Sequence, residues 1–236
     1  MTVFYLIRHG ETDWNLDGRW QGHTDIPLNA IGRAQAQRLA ARLGASDTHF
    51  DAIYSSDLQR AWETAMIVGT GLHIAPQPLQ ALREIDVGAW SGLTREQLIA
   101  RDPEIFARIE SGEDVARGGG ERLVDLYNRV VTAVEDLAAA YPEQTLLLVT
   151  HGGPVRVLLM HAARDKVGIA PRRVQIGNTS ISIVIRDAAG WELGQLNDMA
   201  HLQETAQAPD LMSAPPDDAN LAASSRSGAA DGSDGN

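Results

Sequence analysis

The sequence contains no cysteine, and this absence excludes two classes of protein. None of its 236 residues offers a thiol that could form a disulfide or hold a metal ion as thiolate. Small disulfide-stapled folds and cysteine-ligated metal sites are therefore ruled out. A reducing compartment is compatible with this composition, and we expect the protein to be cytoplasmic.

The chain also has fewer basic than acidic residues. The chain has 20 Lys and Arg residues against 31 Asp and Glu residues, which gives a formal net charge of -11 at pH 7. Sequence-independent binding to nucleic acid needs clustered basic residues, so we predict no nucleic-acid partner. An anionic ligand would have to be attracted by a local cationic site that acts against the field of the whole protein.

Long apolar runs are missing as well. No run approaches the roughly 20 apolar residues that a membrane-spanning helix needs. No basic segment followed by an apolar stretch resembles a signal peptide. We therefore expect neither a membrane partner nor a cleaved leader. The hydrophobic content of 44% suits one large domain with a full core.

Short apolar segments alternate with helical patterns between residues 1 and 204, which predicts an α/β domain with a mainly parallel sheet. Strands are predicted at 3–7, 50–55, 146–149, 174–186 and, briefly, up to 196. Helices are predicted at 30–43, from about 57 to 68, and at 94–101, 103–111, 121–141 and 154–161. Residues 205–236 are rich in Ala, Ser, Gly and Asp, which predicts a disordered acidic tail.

Several local features lead to more detailed expectations. Residues 9–29 lack a helical period and predict a long, packed loop. Asn29 is a good N-cap for the helix that follows, and Ser56 or Asp57 could cap the next one. The triple glycine at 118–120 is expected to be a flexible joint, because neither a preceding strand nor a lysine makes it a phosphate-binding loop.

Charged side chains follow the predicted strands. Arg8 and His9 end the first strand, His151 ends the strand at 146–149, and Arg60 and Glu84 lie in segments that follow the second strand. The carboxyl ends of parallel strands share one edge of a sheet, which is where open α/β sheets bind ligands. We therefore expect these five side chains to converge.

Two arginines, two histidines and one glutamate suit phosphoryl transfer. A neutral imidazole can attack phosphorus, and guanidinium groups can hold the phosphoryl oxygens. A carboxylic acid can protonate the leaving oxygen and then activate water. Such a site needs neither metal nor cofactor, because arginines and a second histidine carry the positive charge.

Four motifs resemble those of the histidine phosphatase superfamily, which includes the cofactor-dependent phosphoglycerate mutases. They are Arg-His-Gly-Glu-Thr at 8–12, Ser-Ser-Asp-Leu-Gln-Arg-Ala at 55–61, Leu-Arg-Glu at 82–84 with Gly-Ala-Trp-Ser-Gly at 88–92, and Val-Thr-His-Gly-Gly at 149–153. The resemblance covers roughly residues 1–200. It implies a phosphoglycerate mutase-like fold, a three-layer α/β/α sandwich with a mainly parallel central sheet.

The resemblance also implies roles for single residues. His9 is expected to be the nucleophile that becomes phosphohistidine, and Glu84 the proton donor and later the base. The residues expected to bind the phosphoryl group or the substrate are Arg8, Asn15, Gln21, Gly22, Arg60, His151 and Gly152. The sequence leaves another role open for three of these residues: Asn15 could be a turn residue, Gln21 a surface loop residue and Arg60 an ordinary surface arginine.

The mutases that this chain resembles carry a long insertion after the glutamate loop, which covers the site. Here only about 25 residues separate that loop from the triple glycine, and they hold no basic cluster. We therefore predict a phosphatase that hydrolyses small-molecule phosphomonoesters of the sugar phosphate or phosphoglycerate type through a phosphohistidine. The alternatives are a 2,3-bisphosphoglycerate-dependent phosphoglycerate mutase and a non-catalytic module that binds phosphorylated ligands. A homodimer is left open.

Overall fold

A single sheet of six strands lies at the centre of the computed structural model, which describes residues 1–164 and 175–203. The strands are β1 (Thr2–Arg8), β2 (Ala52–Ser55), β3 (Gln77–Pro78), β4 (Thr145–Thr150), β5 (Ile181–Asp187) and β6 (Gly190–Leu193). Their spatial order is β3-β2-β4-β1-β5-β6. The first four are mutually parallel, and β5 and β6 are antiparallel to their neighbours.

The α-helices of the described residues are α1 (Asp13–Leu16), α2 (Ala30–Gly44), α3 (Gln59–Leu72), α4 (Arg95–Arg101), α5 (Pro103–Glu110), α6 (Leu123–Ala140) and α7 (Gly152–Ala163). Four of these helices cover the two faces of the sheet. Helices α6 and α7 share one core with Phe4 and Leu148, whereas α2 and α3 share the other with Ile7 and Leu147. The predicted three-layer sandwich with a mainly parallel sheet is confirmed.

The central strands β1 and β4 each contain a run of apolar residues, because both faces of the sheet are covered there. Successive residues of β4 alternate between the two cores: Leu146 and Leu148 pack towards α6 and α7, and Leu147 and Val149 towards α2 and α3. Parallel strands that are covered on both faces characteristically show such continuous apolar runs. The carboxyl ends of β1 and β4 are adjacent, with Arg8 opposite Thr150, so the residues that follow them meet at one edge.

The predicted caps are right for α2 and wrong for α3. The side chain of Asn29 accepts from the Gly32 amide at 2.8 Å, as expected for an N-cap. Helix α3 instead has Leu58 at the cap position, without a side-chain cap. Asp25, which lies 34 residues earlier in the chain, accepts from the first helical amide at 2.6 Å. Neither Ser56 nor Asp57 is the N-cap: the Ser56 hydroxyl binds His151 and accepts from the Leu58 amide at 3.3 Å, and the Asp57 carboxylate binds Arg83.

Two loops are more ordered than predicted. Residues 9–29 include the one-turn helix α1, in which Thr12 and Asn15 form a capping box. The triple glycine was expected to be a flexible joint, but it is packed against the loop that contains Ala89. The Gly118 carbonyl accepts a hydrogen bond from the Ala89 amide at 2.8 Å, and Gly118 has a φ of 56°. A Cβ at Gly118 would lie 2.3 Å from the Val87 carbonyl oxygen, so this loop packs where only glycine fits.

The last two strands are shorter than predicted. Strand β5 begins at Ile181, because residues 176–179 leave the sheet to contact the end of β1. Strand β6 ends at Leu193 rather than at 196. Position 174 and the tail predicted at 205–236 lie outside the described residues. Among the helices of residues 1–164 and 175–203, none has the length and apolar character needed to cross a bilayer.

Candidate active site

His9 directly follows β1 and is held in one tautomer. Its amide donates to the Thr150 carbonyl at 2.9 Å, which ties it to the end of β4. Its Nδ1 lies 2.6 Å from the Gly10 carbonyl oxygen. A carbonyl only accepts, so Nδ1 carries the proton and Nε2 carries the lone pair. The side chain is 3% exposed.

The surroundings of His9 keep its ring neutral. Burial lowers the pKa of His9 well below 6.5, and the positive charges of Arg60 and Arg8 lower it further, although the Gly10 hydrogen bond opposes them. A neutral imidazole with a lone pair on Nε2 is the form that can attack phosphorus.

Arg60 is completely buried, which removes the alternative that it is a surface arginine. Its Nη1 and Nη2 donate to the carbonyls of Thr24 and Gly22 at 2.9 and 2.8 Å. Its Nε donates to Nδ1 of His151 at 3.2 Å. Burial lowers the pKa of Arg60 to about 10, so the guanidinium stays charged at neutral pH. Two of its five N–H groups have no acceptor among the described residues and can bind another group.

His151 directly follows β4 and lies beside His9 and Arg60. Because Nδ1 accepts from Arg60, Nε2 carries the proton and donates to the Ser56 hydroxyl at 2.8 Å. The two histidine rings lie 5.1 Å apart, centre to centre. Burial and then the charge of Arg60 hold the pKa of His151 well below 6.5. His151 is therefore a second neutral imidazole beside the first.

Glu84 is fixed through both its carboxyl group and its backbone. The Gly153 amide lies 3.1 and 3.2 Å from the two carboxyl oxygens, and the Ile85 amide donates to Oε1 at 2.9 Å. A Cβ on Gly153 would lie 2.1 Å from Oε1, so the carboxyl group can approach helix α7 only at a glycine. The Glu84 carbonyl accepts from Arg129 at 2.7 Å and from His23 at 2.8 Å.

Arg129, from α6, holds the whole segment before Glu84. It donates to the carbonyls of Ala81 and Arg83, each at 2.8 Å, and forms an ion pair with Glu121 at 2.7 Å. Neither Arg129 nor Gly153 was predicted from the sequence. The doubled glycine after His151 was a usable signal for Gly153, whereas nothing in the sequence marks Arg129.

The remaining predicted residues have mixed surroundings. Gln21 is 8% exposed, and its Oε1 has no hydrogen-bond partner among the described residues, so it is no surface residue. Gly22 binds Arg60 through its carbonyl. Asn15 accepts from the Thr12 amide at 3.1 Å, so it is a capping residue that also faces the site. Gly152 lies close to the side chains of Arg8 and Glu84. A Cβ at Gly152 would be 3.9 Å from Arg8 Nε and 4.0 Å from Glu84 Oε2.

A segment from the far end of the domain supports the Arg8–His9 pair. Arg8 Nη1 donates to the Ile176 carbonyl at 2.6 Å, and Asn178 Nδ2 donates to the His9 carbonyl at 3.0 Å. The Thr179 amide donates to the Arg8 carbonyl at 2.9 Å. Thr179 has a φ of 55°, which is costly for a β-branched residue and is typical of functional sites. These contacts were not predicted.

These groups surround a cavity of about 1630 Å³. Of the predicted site residues, His151 and Gly152 do not line it, and seven do: Arg8, His9, Asn15, Gln21, Gly22, Arg60 and Glu84. Apolar side chains form much of the remaining wall, including Trp14, Trp20 and Tyr127. Across residues 1–164 and 175–203, no three imidazole or carboxylate side chains are grouped to hold a metal ion.

The chain is similar in sequence and in fold to known proteins. The family model of the histidine phosphatase superfamily (branch 1) matches residues 4–199. Phosphoglycerate mutase-like protein 4 of Arabidopsis thaliana is 37% identical, over 85% of this chain and 86% of its own. The metal-independent phosphoserine phosphatase of the same plant is 32% identical, over 86% of this chain and 84% of its own. The structure of Entamoeba histolytica phosphoserine phosphatase in complex with 3-phosphoglyceric acid has a TM-score of 0.76 and 31% identity, and the match covers 86% of this chain and 100% of that one.

Proposed function

The chain belongs to the histidine phosphatase superfamily, and we propose that it hydrolyses small phosphomonoesters through a phosphohistidine on His9. One observation carries this proposal. The Gly10 carbonyl holds the Nδ1 proton of a neutral His9, beside Arg8 and Arg60 and in the same cavity as a fixed glutamate. A nucleophile, fixed cations and a carboxyl group are the parts that metal-free phosphoryl transfer needs.

In the first step, Nε2 of His9 attacks phosphorus and the bond between phosphorus and the ester oxygen breaks. The Gly10 carbonyl stabilises the positive charge that develops on the ring through its hydrogen bond to Nδ1. Arg8 and Arg60 hold the phosphoryl oxygens, whose charge increases in the transition state. The substrate alcohol leaves with a proton from Glu84.

In the second step, Glu84 works in the opposite direction. Its carboxylate takes a proton from water, the water oxygen attacks phosphorus, and the bond to Nε2 breaks. Phosphate is released and His9 returns to its neutral form with the proton on Nδ1. The Gly153 and Ile85 amides keep the carboxyl group in the same place for both transfers, as a group that acts first as acid and then as base requires.

The substrate class follows from the relatives and from the cavity. One relative is named a phosphoserine phosphatase, and a related structure holds 3-phosphoglyceric acid. The cavity of about 1630 Å³ has room for a small phosphorylated metabolite. We therefore propose sugar phosphates, phosphoglycerate and similar small molecules as substrates, and no nucleic acid.

A 2,3-bisphosphoglycerate-dependent mutase is the second candidate, because one relative is named phosphoglycerate mutase-like. Only α4, α5 and a short loop lie between the glutamate segment and α6. Water can reach a phosphohistidine in a site without a long covering insertion, which favours hydrolysis.

The test is phosphate release from a panel of phosphomonoesters, with 3-phosphoglycerate assayed in parallel for isomerisation. Free phosphate without isomerisation supports the phosphatase. Isomerisation that depends on a bisphosphoglycerate primer means a mutase. Neither product, with no phosphate incorporated at His9, means a non-catalytic module that binds phosphorylated ligands.

We also propose that residues 1–204 form the catalytic domain and that the acidic tail at 205–236 takes no part in the chemistry. A cytoplasmic location and a homodimer stay predictions.

A further inference from the structure

The cavity extends well beyond His9, and four of the arginines that line it have no part in the proposed chemistry: Arg19, Arg38, Arg117 and Arg156. Of these four, Arg117 lies in the loop before α6 and Arg156 lies in α7. Both are partly buried. A guanidinium group that is withdrawn from water normally finds carboxylate or carbonyl acceptors, because an unpaired buried charge is costly.

Arg156 has no such acceptor in the described part of the chain. Within residues 1–164 and 175–203 it makes no hydrogen bond or ion pair, and its Nε is shielded from solvent without a partner. Arg129, by comparison, satisfies its guanidinium with three carbonyls and a glutamate. Arg156 therefore differs from a structural arginine of the same fold.

The position of Arg156 relative to Glu84 is set by helix α7. Gly153, Arg156, Val157 and Met160 line the cavity, and this spacing marks one continuous helical face. Gly153 binds the carboxyl group of Glu84. Arg156 comes three residues later, about 4.5 Å further along the helix axis. Because Glu84 is the proposed proton donor to the leaving oxygen, Arg156 would lie on the side of the leaving group.

Arg117 brings a second cation to the same cavity. Its side chain is only 15% exposed, and its nearest carboxylate, Asp114, is 3.9 Å away. Its Nη1 is buried without a hydrogen bond in the described part of the chain. Burial lowers the pKa of Arg117, and the charges of Asp114 and Glu84 oppose that shift. Asp114 is itself engaged, because it accepts from the amides of Leu123 and Val124.

We propose that Arg156, assisted by Arg117, binds a carboxylate on the leaving group of the substrate. The preferred substrates are then phosphate esters of small hydroxy or amino acids rather than simple sugar or alkyl phosphates. A planar carboxylate accepts two parallel hydrogen bonds from a guanidinium fork. A second phosphoryl group fits less well, because Glu113 and Asp114 also line the cavity and would repel its larger charge. This inference rests on the proposed function.

Matched substrates test the subsite. O-phosphoserine and phosphoethanolamine differ by the carboxylate, as do 3-phosphoglycerate and glycerol 3-phosphate. The wild type is expected to favour the carboxylate member of each pair. Hydrogen bonds to charged groups contribute about 1.5–3 kcal/mol, so Arg156→Gln should lower the ratio of kcat/KM within a pair by about 10- to 100-fold, mainly through KM.

Three further variants sharpen this test. Arg117→Gln should lower the same ratio by a smaller factor. Arg156→Lys should restore part of it, because a lysine keeps the charge without the fork. Arg33→Gln is the matched control: Arg33 pairs with Glu63 on the surface and does not line the cavity, so the ratio should not change. Thermal unfolding of each variant shows whether it has folded.

Calorimetric binding of 3-phosphoglycerate and glycerol 3-phosphate separates this inference from the proposed function. Tighter binding of 3-phosphoglycerate that Arg156→Gln removes supports the subsite, even if the wild type hydrolyses neither ester, in which case only the proposed function fails. Hydrolysis of both members of a pair at ratios that Arg156→Gln leaves unchanged overturns the subsite and leaves the phosphatase in place. Equal binding of both ligands, or of neither, also overturns the subsite.

Discussion

Gly153→Ala adds one carbon atom at the place where Glu84 meets helix α7. The new Cβ would lie 2.1 Å from Oε1 and 3.2 Å from both the Glu84 Cδ and the Leu126 Cδ2. Non-bonded heavy atoms need roughly 3.5 Å, so the carboxyl group must move by about 1 Å or more and loses the Gly153 amide as a donor. A misplacement of about 1 Å in an active site can cost about 100-fold in rate.

The loss should depend on the leaving group. An alkoxide needs the proton from Glu84, so we expect kcat for an alkyl phosphate to fall about 100-fold. A nitrophenolate leaves with little help, so kcat for nitrophenyl phosphate should fall far less. The neighbouring glycine supplies the control, because a Cβ on Gly152 meets nothing closer than 3.9 Å. Gly152→Ala keeps the backbone and should retain most of the activity on both substrates.

Three results would refute this reasoning. Wild-type kcat on alkyl phosphates in a folded Gly153→Ala variant would mean that the Gly153 contact does not position the acid. Equal losses on alkyl and nitrophenyl phosphates would place the damage outside leaving-group protonation. An equal loss in Gly152→Ala would point to the start of helix α7 as a whole rather than to the carboxyl group of Glu84.

Other predictions follow from the same site. His9→Ala should abolish phosphate release while its thermal unfolding stays close to that of the wild type; activity that survives would remove His9 as nucleophile. Glu84→Gln should slow the hydrolysis of alkyl phosphates more than that of nitrophenyl phosphate, and equal slowing would argue against an acid role. Burial and nearby arginines keep the pKa of His9 and of His151 well below 6.5, and burial lowers the pKa of His201 to about 4. The unfolded chain therefore binds protons that the folded chain does not, and the free energy of unfolding should fall below pH 6.5, by up to about 1.4 kcal/mol per pH unit for each histidine. Denaturant titrations between pH 7 and pH 5 measure this fall, and a flat profile would contradict it.

The parts of the fold that could be predicted are those that local sequence encodes. The apolar runs at β1 and β4, the helical period of α6 and the Asn29 cap each lie within one short window. The one-turn helix α1 was missed because four residues are too few to show a period. The predicted cap of α3 was wrong because the carboxylate that accepts from its first amide belongs to Asp25, which lies 34 residues away in the chain.

The residues of the site also divide into those that the sequence predicts and those that it does not. His9, Arg60 and His151 follow strands whose ends meet at one edge, so topology alone brings them together. Arg129 and Asn178 act through backbone carbonyls that are 45 and 169 residues distant in sequence. Every residue has a backbone carbonyl, so a side chain that binds a carbonyl needs no particular residue type as its partner. No pattern of residue types therefore predicts such a contact. Positioning residues of this kind become visible only in three dimensions.

The site can have a positive potential although the whole chain is acidic, because the nearest charges dominate the local potential. The net charge is -11, yet the charges of Arg60 and Arg8 lower the pKa of both His9 and His151, so the local potential at the two rings is positive. Surface charges are screened over about 8 Å in physiological salt, whereas buried charges are screened far less. Burial also lowers the pKa of Arg60, although the charges of Glu84 and Asp25 oppose that shift, and the hydrogen bonds of its guanidinium go to two carbonyls and one neutral imidazole. The proposed phosphoryl group would give this guanidinium a directly bound anion, so part of the cost of burying Arg60 would be recovered when a substrate binds.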